Sequence, residues 1–189
     1  REQAGTVADF LRSLKQEVEL RSVTTSDLAR AAQLTQKTNQ FNFTTRRYTE
    51  QEVAERAADG EGWLVWCMRV QDRYGDHGMV GLAMVSFGDG TADIDTLLLS
   101  CRVISRGVES ALIAALADEA KRRRCRTISG WFLPTKKNGP SQDCYQQHGF
   151  YVVREGPGGA KLWECDLTGP LPGVPDWISL QVLRGEESK

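Results

Sequence analysis

One run near the middle of the chain gathers the residue types most capable of chemistry: Leu97-Leu98-Leu99-Ser100-Cys101-Arg102-Val103-Ile104-Ser105-Arg106-Gly107-Val108-Glu109. An apolar strand ends, a short turn of small and basic residues follows, and a helix begins. Such a junction collects free backbone N–H groups at the positive end of a helix, which suits an anion such as a phosphate. Arg102 and Arg106 add full charges, Ser105 is small, and Gly107 lets the backbone approach a ligand closely. A plain strand-to-helix turn with solvated arginines accounts for the same residues, and the segment alone does not separate the two readings. Cys101 sits at the strand end, beside Arg102 and near the opening of the helix. That electropositive setting suits a nucleophilic thiol, and Cys101 is the best placed of the five cysteines to act as one. The opposing reading is a small buried apolar side chain, which is the usual state of a free cysteine. Cys67, Cys125, Cys144 and Cys165 fall inside expected strands and helices and are read that way.

The elements that must hold this junction show as changes of period along the chain. Val7, Phe10, Leu11 and Leu14 fall at helical spacing, so residues 1–25 are either a helix on the body or a linker from an upstream domain. Ser26 and Asp27 offer an N-cap for a helix to about Thr38, with Leu28, Ala31, Ala32 and Leu34 apolar. Thr49 and Glu52 make a T-x-x-E capping box that opens a helix through Ala58. Then the period shortens. Trp63–Val70, Met79–Phe87 and Ala92–Leu99 read as an antiparallel meander, with turns at 72–78 and Gly88-Asp89-Gly90. Gly107–Arg124 is a helix striped by Val108, Ala111, Leu112, Ala115 and Leu116, with a basic last turn that suits its dipole. Thr127–Leu133 is a strand, Ser141–His148 a short helix, and Phe150–Val153 and Lys161–Cys165 two closing strands. That order implies an α/β (α+β) fold, a mixed and mostly antiparallel sheet flanked by helices. The domain covers residues 26–168, and residues 169–189 read as an irregular tail.

The 189 residues suffice for one domain, and 40% hydrophobic with 26% charged residues is the balance of a soluble globular protein. The net charge of −1 argues neither way on a polyanionic partner, and no nucleic acid is expected. Arg122, Arg123, Arg124 and Arg126 with Lys136 and Lys137 form the one local basic excess, read as a solvated helix end or as a docking patch for an acidic protein. No apolar stretch is long enough to span a bilayer, so no membrane is expected. Five scattered cysteines without CxxC spacing read as reduced thiols in a cytoplasmic protein. His77 and His148 lie far apart, and no metal is expected.

Arg102-x-x-Ser105-x-Gly107 resembles the pyrophosphate loop of the GCN5-related N-acetyltransferase (GNAT) fold, Q/R-x-x-G-x-G/A, with Ser105 where the first glycine is usual. Asn138 through Phe150, NGPSQDCYQQHGF, resembles a later GNAT segment, in which an Asn precedes an aromatic by seven residues and Gly-Phe closes the helix. This resemblance implies coenzyme A or a phosphopantetheine arm as cofactor, with phosphate held by Arg102, Ser105, Arg106 and Gly107. It implies that Asn138 contacts the pantetheine arm and that Tyr145 sits near the thioester sulfur as a general acid; packing in the core is the plainer alternative for Tyr145. In that fold the strand before the loop and the strand at Thr127–Leu133 splay apart, and the unpaired backbone in the gap binds pantetheine much as an added strand would.

A narrower resemblance covers residues 20–165. Gln33-Leu34-Thr35-Gln36-Lys37-Thr38-Asn39-Gln40-Phe41-Asn42-Phe43-Thr44-Thr45-Arg46-Arg47-Tyr48 is dense in amides and hydroxyls, and is similar to the QLTQKTNQFN-x-TTRRY block of the FkbH-like family. Members join a haloacid-dehalogenase-type phosphatase domain to a GNAT-like domain and are implicated in polyketide biosynthesis. The resemblance implies a glyceryl or similar hydroxyacyl group passed to the phosphopantetheine of an acyl carrier protein, with the phosphatase-type domain upstream. It implies that Asn39, Asn42, Thr44 and Thr45 contact the acyl group. Asp93-Ile94-Asp95-Thr96 superficially mimics the phosphatase nucleophile motif but reads more simply as a polar strand face. The competing readings are a non-catalytic carrier-docking domain and an acetyl-CoA-dependent N-acetyltransferase.

Overall fold

The computed structural model describes residues 6–184. Thr6 caps α1 (Val7–Leu14) in a reciprocal box with Asp9, and β1 (Gln16–Ser22) follows. Then come α2 (Leu28–Lys37), the two-residue β2 (Phe41–Asn42) and α3 (Glu50–Ala58), which is opened by the Thr49/Glu52 box read from the sequence. The meander is β3 (Trp63–Asp72), β4 (Gly75–Gly88) and β5 (Thr91–Leu99). After a 3-10 turn at Cys101–Val103 come α4 (Val108–Arg122), β6 (Thr127–Phe132) and α5 (Cys144–Gln147). The chain closes with β7 (Tyr151–Glu155), β8 (Lys161–Asp166) and β9 (Ile178–Leu183).

Among the described residues the strands form a single sheet ordered β7-β8-β6-β5-β4-β3-β1-β9, with β2 paired to β5 alongside that path. Most pairs are antiparallel; β5 with β6 and β1 with β9 are parallel. Both faces are covered. Trp66, Met68, Val80, Val85 and Leu97 pack with α4 on one side, while Val65, Cys67, Leu82 and Met84 pack with α2 and α3 on the other. Double burial explains why β3 to β5 read as nearly continuous apolar runs.

The described part of residues 1–25 corrects the expectation of a linker, because β1 lies inside the sheet between β3 and β9. Its burial alternates, Val18 and Leu20 inward and Glu17 outward, a period that the charges of Q-E-V-E-L-R-S obscured. The expected irregular tail is corrected in the same way over 178–183, where β9 pairs with β1. Residues 1–5 and 185–189 lie outside the described part.

Candidate active site

β5 and β6 run side by side only over their first halves, Thr91 to Ile94 against Thr127 to Gly130. Beyond that they part, and the chain's own segment fills the wedge. Phe41 and Asn42 pair with Leu99 and Leu98 as an added antiparallel strand. The next residue bridges the gap: the Phe43 N–H donates to the Leu97 carbonyl, and the Leu133 N–H donates to the Phe43 carbonyl. Asn138 staples this arrangement, its side-chain amide donating to the carbonyls of Asn42 and Leu133 while its own carbonyl accepts from the Thr135 N–H. The role expected for Asn138, contact with an incoming arm, is therefore corrected: it holds a piece of its own chain.

The amide- and hydroxyl-rich block supplies the remaining fastenings. Asn42 donates to the Thr38 carbonyl and accepts from the Thr45 N–H. The Thr44 hydroxyl donates to the Asp95 carbonyl, and the Asp95 carboxylate receives Arg46, the Tyr48 hydroxyl at 2.7 Å and the Thr96 hydroxyl at 2.8 Å. Burial and then the Asp95 bond push the Tyr48 phenol up to about 12. Asn42, Thr44 and Thr45, expected to touch an acyl group, are corrected to internal fastenings; of that set only Asn39 lines an open cleft. Asp93 accepts from Ser129, so the mimic of a phosphatase motif belongs to the sheet.

Phe41 and Phe43 point to the α4 side, where the Phe43 ring lies 4.5 Å from that of Tyr145 and 6.1 Å from that of Phe132. Tyr145 is 1% exposed, its hydroxyl has no partner, and burial holds its pKa well above the ordinary phenol value. A phenol so placed cannot exchange a proton with a ligand, and the general-acid expectation gives way to the core reading. Its oxygen lies against Gly130, where an added Cβ would come within 2.0 Å of it. Gly130→Ala is therefore expected to destabilise the fold by about 1–3 kcal/mol through overpacking. Tyr145→Phe, which removes an unsatisfied hydroxyl, should be neutral or stabilising and should recover part of the Gly130→Ala loss. Urea midpoints of the two single variants and the double variant check this; a large loss in Tyr145→Phe would contradict it.

The turn that opens α4 is occupied as well. Arg106 donates to Asp72 at 2.6 Å, which also meets His77, and the Arg106 carbonyl accepts from Gln16 and from the Trp177 indole. Gly107 has φ 82° and lies under Trp177, whose ring would stand 3.1 Å from an added Cβ. Ser105 has φ 65°, a left-handed conformation that accounts for the usual glycine at this position. Arg102 is exposed, and its hydrogen bonds among the described residues go to the Ser100 hydroxyl at 3.5 Å. The Glu109 carboxyl lies back over the first turn of the helix, toward the N–H groups of Gly107 and Glu109, with one oxygen buried and unpartnered. An anion of the chain itself thus stands near the positive end of α4. Of the set expected to hold phosphate, Arg106 has its cation neutralised by Asp72 and the helix opening at Gly107 already faces a carboxyl, whereas Arg102 has no acidic partner among the described residues.

Burial raises the Glu109 pKa against the pull of the nearby N–H groups and His148. A folded pKa above the unfolded one means that the ionised carboxyl detracts from stability. That deficit is full above the folded pKa and gone below the unfolded one. Glu109→Gln is expected to stabilise the protein at pH 7, the gain fading as pH falls through the raised folded pKa and gone by about pH 4. Thermal midpoints between pH 7 and pH 3.5 test it; a gain independent of pH would contradict it.

Beside the α4 turn a small opening of about 180 Å³ remains, bordered by Ser105, Glu109 and Asp143; a larger cleft of about 740 Å³ is lined by Arg30, Gln33, Lys37, Asn39, Lys136 and Lys137, with Ser100 and Cys101 at the end of β5. Cys101 is exposed, whereas the four other thiols are buried. No carboxylate lines the cleft. The single basic patch expected from the sequence divides in two. Lys136 and Lys137 stand at the ends of β5 and β6, while Arg126 pairs through its backbone with Gly90 at the strand starts. There Arg123 is tied to Glu119 and the Gly60 carbonyl. Lys37 was not singled out from the sequence as a site residue; its place in the last turn of α2, two residues before Asn39, was the available signal.

A family model described as the acetyltransferase (GNAT) family matches residues 28–150. The chain belongs to the GNAT family. Solved GNAT structures superpose on it at low identity, which shows the shared fold. The ribosomal-protein-S18-alanine N-acetyltransferase of Escherichia coli is 18% identical, covering 79% of this chain and 94% of its own, with a TM-score of 0.59. The PaiA N-acetyltransferase of Thermoplasma acidophilum, in complex with coenzyme A, is 14% identical over 79% and 98%, with a TM-score of 0.61. The GNAT domain of S. lividans PAT is 19% identical over 78% and 89%, with a TM-score of 0.60. A search of curated protein sequences found no match.

The GNAT fold implies coenzyme A or a related arm in the wedge between β5 and β6, its phosphates at the opening of α4. The residues present do not fit that group. The backbone groups of β5 that would pair with it are bonded to β2 and Phe43, and Glu109 and Trp177 crowd the turn. Among the described residues no helix is long and apolar enough to cross a membrane, and no cluster of three or more His, Cys, Asp or Glu could hold a metal ion.

Proposed function

We propose that this GNAT chain transfers a small hydroxyacyl group, glyceryl by its resemblance to the FkbH-like family, to the phosphopantetheine thiol of an acyl carrier protein, with Cys101 carrying the group between donor and acceptor. The observation that supports this reading is the exposed Cys101 thiol in the basic, amide-lined cleft, just after the end of β5. In the first half-reaction the Cys101 thiol gives its proton to solvent and its sulfur attacks the carbonyl carbon of a donor thioester. The bond from that carbon to the donor sulfur breaks, and the donor leaves as a thiol, taking a proton from solvent. In the second, the carrier's thiol attacks the Cys101 thioester, and Cys101 departs as the free thiol. Lysine charge at the cleft favours the oxyanion formed in each step, and the Asn39, Gln33 and Ser100 side chains suit the hydroxyls of the acyl group.

Intact-mass spectrometry after mixing the protein with glyceryl-loaded carrier protein tests this. The expected result is acyl exchange to free carrier and a transient adduct that peptide mapping places on Cys101. Absence of both would remove the catalytic reading.

A second reading, that the domain only docks the carrier beside an upstream phosphatase-type domain, gains support from the closed wedge. Carrier binding and transfer that survive Cys101→Ala together with Tyr145→Phe in a two-domain protein would favour it. Acetyl-CoA binding with transfer to an amine by the intact chain would instead mark an N-acetyltransferase.

A further inference from the structure

We infer that the phosphate of the incoming arm is held by Lys37, Lys136 and Lys137 around the Cys101 cleft, and not by the turn that opens α4. The inference rests on the carrier-arm reading above for the identity of the arm, while the anion site itself rests on the geometry of the cleft.

The turn at α4 has little left to offer an anion. Arg106 is paired with Asp72, the Arg106 carbonyl is covered by Trp177 and Gln16, and the Glu109 carboxyl stands over the first helical turn. The cleft is the opposite case. Lys37 comes from the end of α2, and Lys136 and Lys137 from the connection after β6, so two separate segments bring like charges to one opening. None of the three ammonium groups has a hydrogen-bond or ion-pair partner among the described residues, whereas Arg30 is engaged by Gln33 and the Met79 carbonyl. Clustered like charges repel one another and focus a positive potential into a concave site, and an anion relieves that repulsion. The volume lies within the usual range of small-molecule sites. Cys101 lies in the same cleft, so an arm anchored at the lysines can present its thiol to the acylated cysteine without entering the wedge.

The test is calorimetric titration, at low salt, of the whole protein with 4′-phosphopantetheine, with pantetheine, and with inorganic phosphate as competitor. Three proteins are compared: the native chain, the triple variant Lys37→Gln/Lys136→Gln/Lys137→Gln, and Arg102→Gln. Native protein should bind the phosphorylated arm at least about tenfold more tightly than pantetheine. That advantage should vanish in the lysine variant, persist in Arg102→Gln, and diminish under competing phosphate. Equal binding of the two arms, no binding of either, or an advantage lost with Arg102→Gln and kept without the lysines would overturn the inference. Acylation of Cys101 by a phosphate-free acyl N-acetylcysteamine thioester is read in parallel. Its failure would remove the role of Cys101 while leaving the phosphate result to stand or fall separately.

Discussion

Cys101→Ala is expected to lower acyl transfer to the carrier protein by about 10³-fold or more and to abolish the covalent adduct. Removing a nucleophile takes away the step on which both half-reactions depend, so the loss falls on turnover and not on carrier affinity. Cys101 is exposed and its side chain has no hydrogen bond among the described residues, and surface substitutions of this kind change stability by no more than about 0.5 kcal/mol. Misfolding therefore cannot mimic the outcome. Cys101→Ser should keep a slow residual activity through the weaker oxygen nucleophile. Carrier-to-carrier exchange followed by intact mass checks the set, and full activity in Cys101→Ala would remove Cys101 from the chemistry.

Phe43→Ala is expected to destabilise the protein by about 3–5 kcal/mol. The ring is fully buried and packs against Tyr145, Phe132 and Phe41, so its removal leaves a cavity in the core. Its backbone joins β5 to β6 through Leu97 and Leu133. Denaturant midpoints measure the loss. A loss below about 1 kcal/mol would mean that the segment rests loosely in the wedge and that the usual thioester slot is within reach of opening.

The sequence carried the architecture well where burial imposes a period. The meander, the stripe of α4 and the Thr49/Glu52 box all appear as read. The edges were harder. The charges of β1 alternate with Val18 and Leu20 in a strand that the neighbouring helical spacing overshadowed, and β9 follows a Pro- and Gly-rich stretch that argued for an irregular tail. The site was legible only in part. Phe41-Asn42-Phe43 has the apolar–polar alternation of a strand, yet its surrounding amides and hydroxyls suggested a polar pocket. Those groups exist because an inserted strand needs its backbone and its ends satisfied: Asn42, Thr44, Arg46 and Tyr48 each meet a group of the chain itself. Asn138 and Tyr145 have the spacing of a pantetheine site but face the inserted segment in its place. Spacing shows where a side chain falls along the chain, and it does not show which molecule fills the space in front of it.

A crystal structure of the protein with a non-hydrolysable phosphopantetheine thioester analogue weighs most directly on this account. The arm should lie in the cleft with its phosphate among Lys37, Lys136 and Lys137 and its acyl carbon beside the Cys101 sulfur, while Phe43 still bridges Leu97 and Leu133. An arm threaded between β5 and β6, with residues 41–43 expelled, would contradict it.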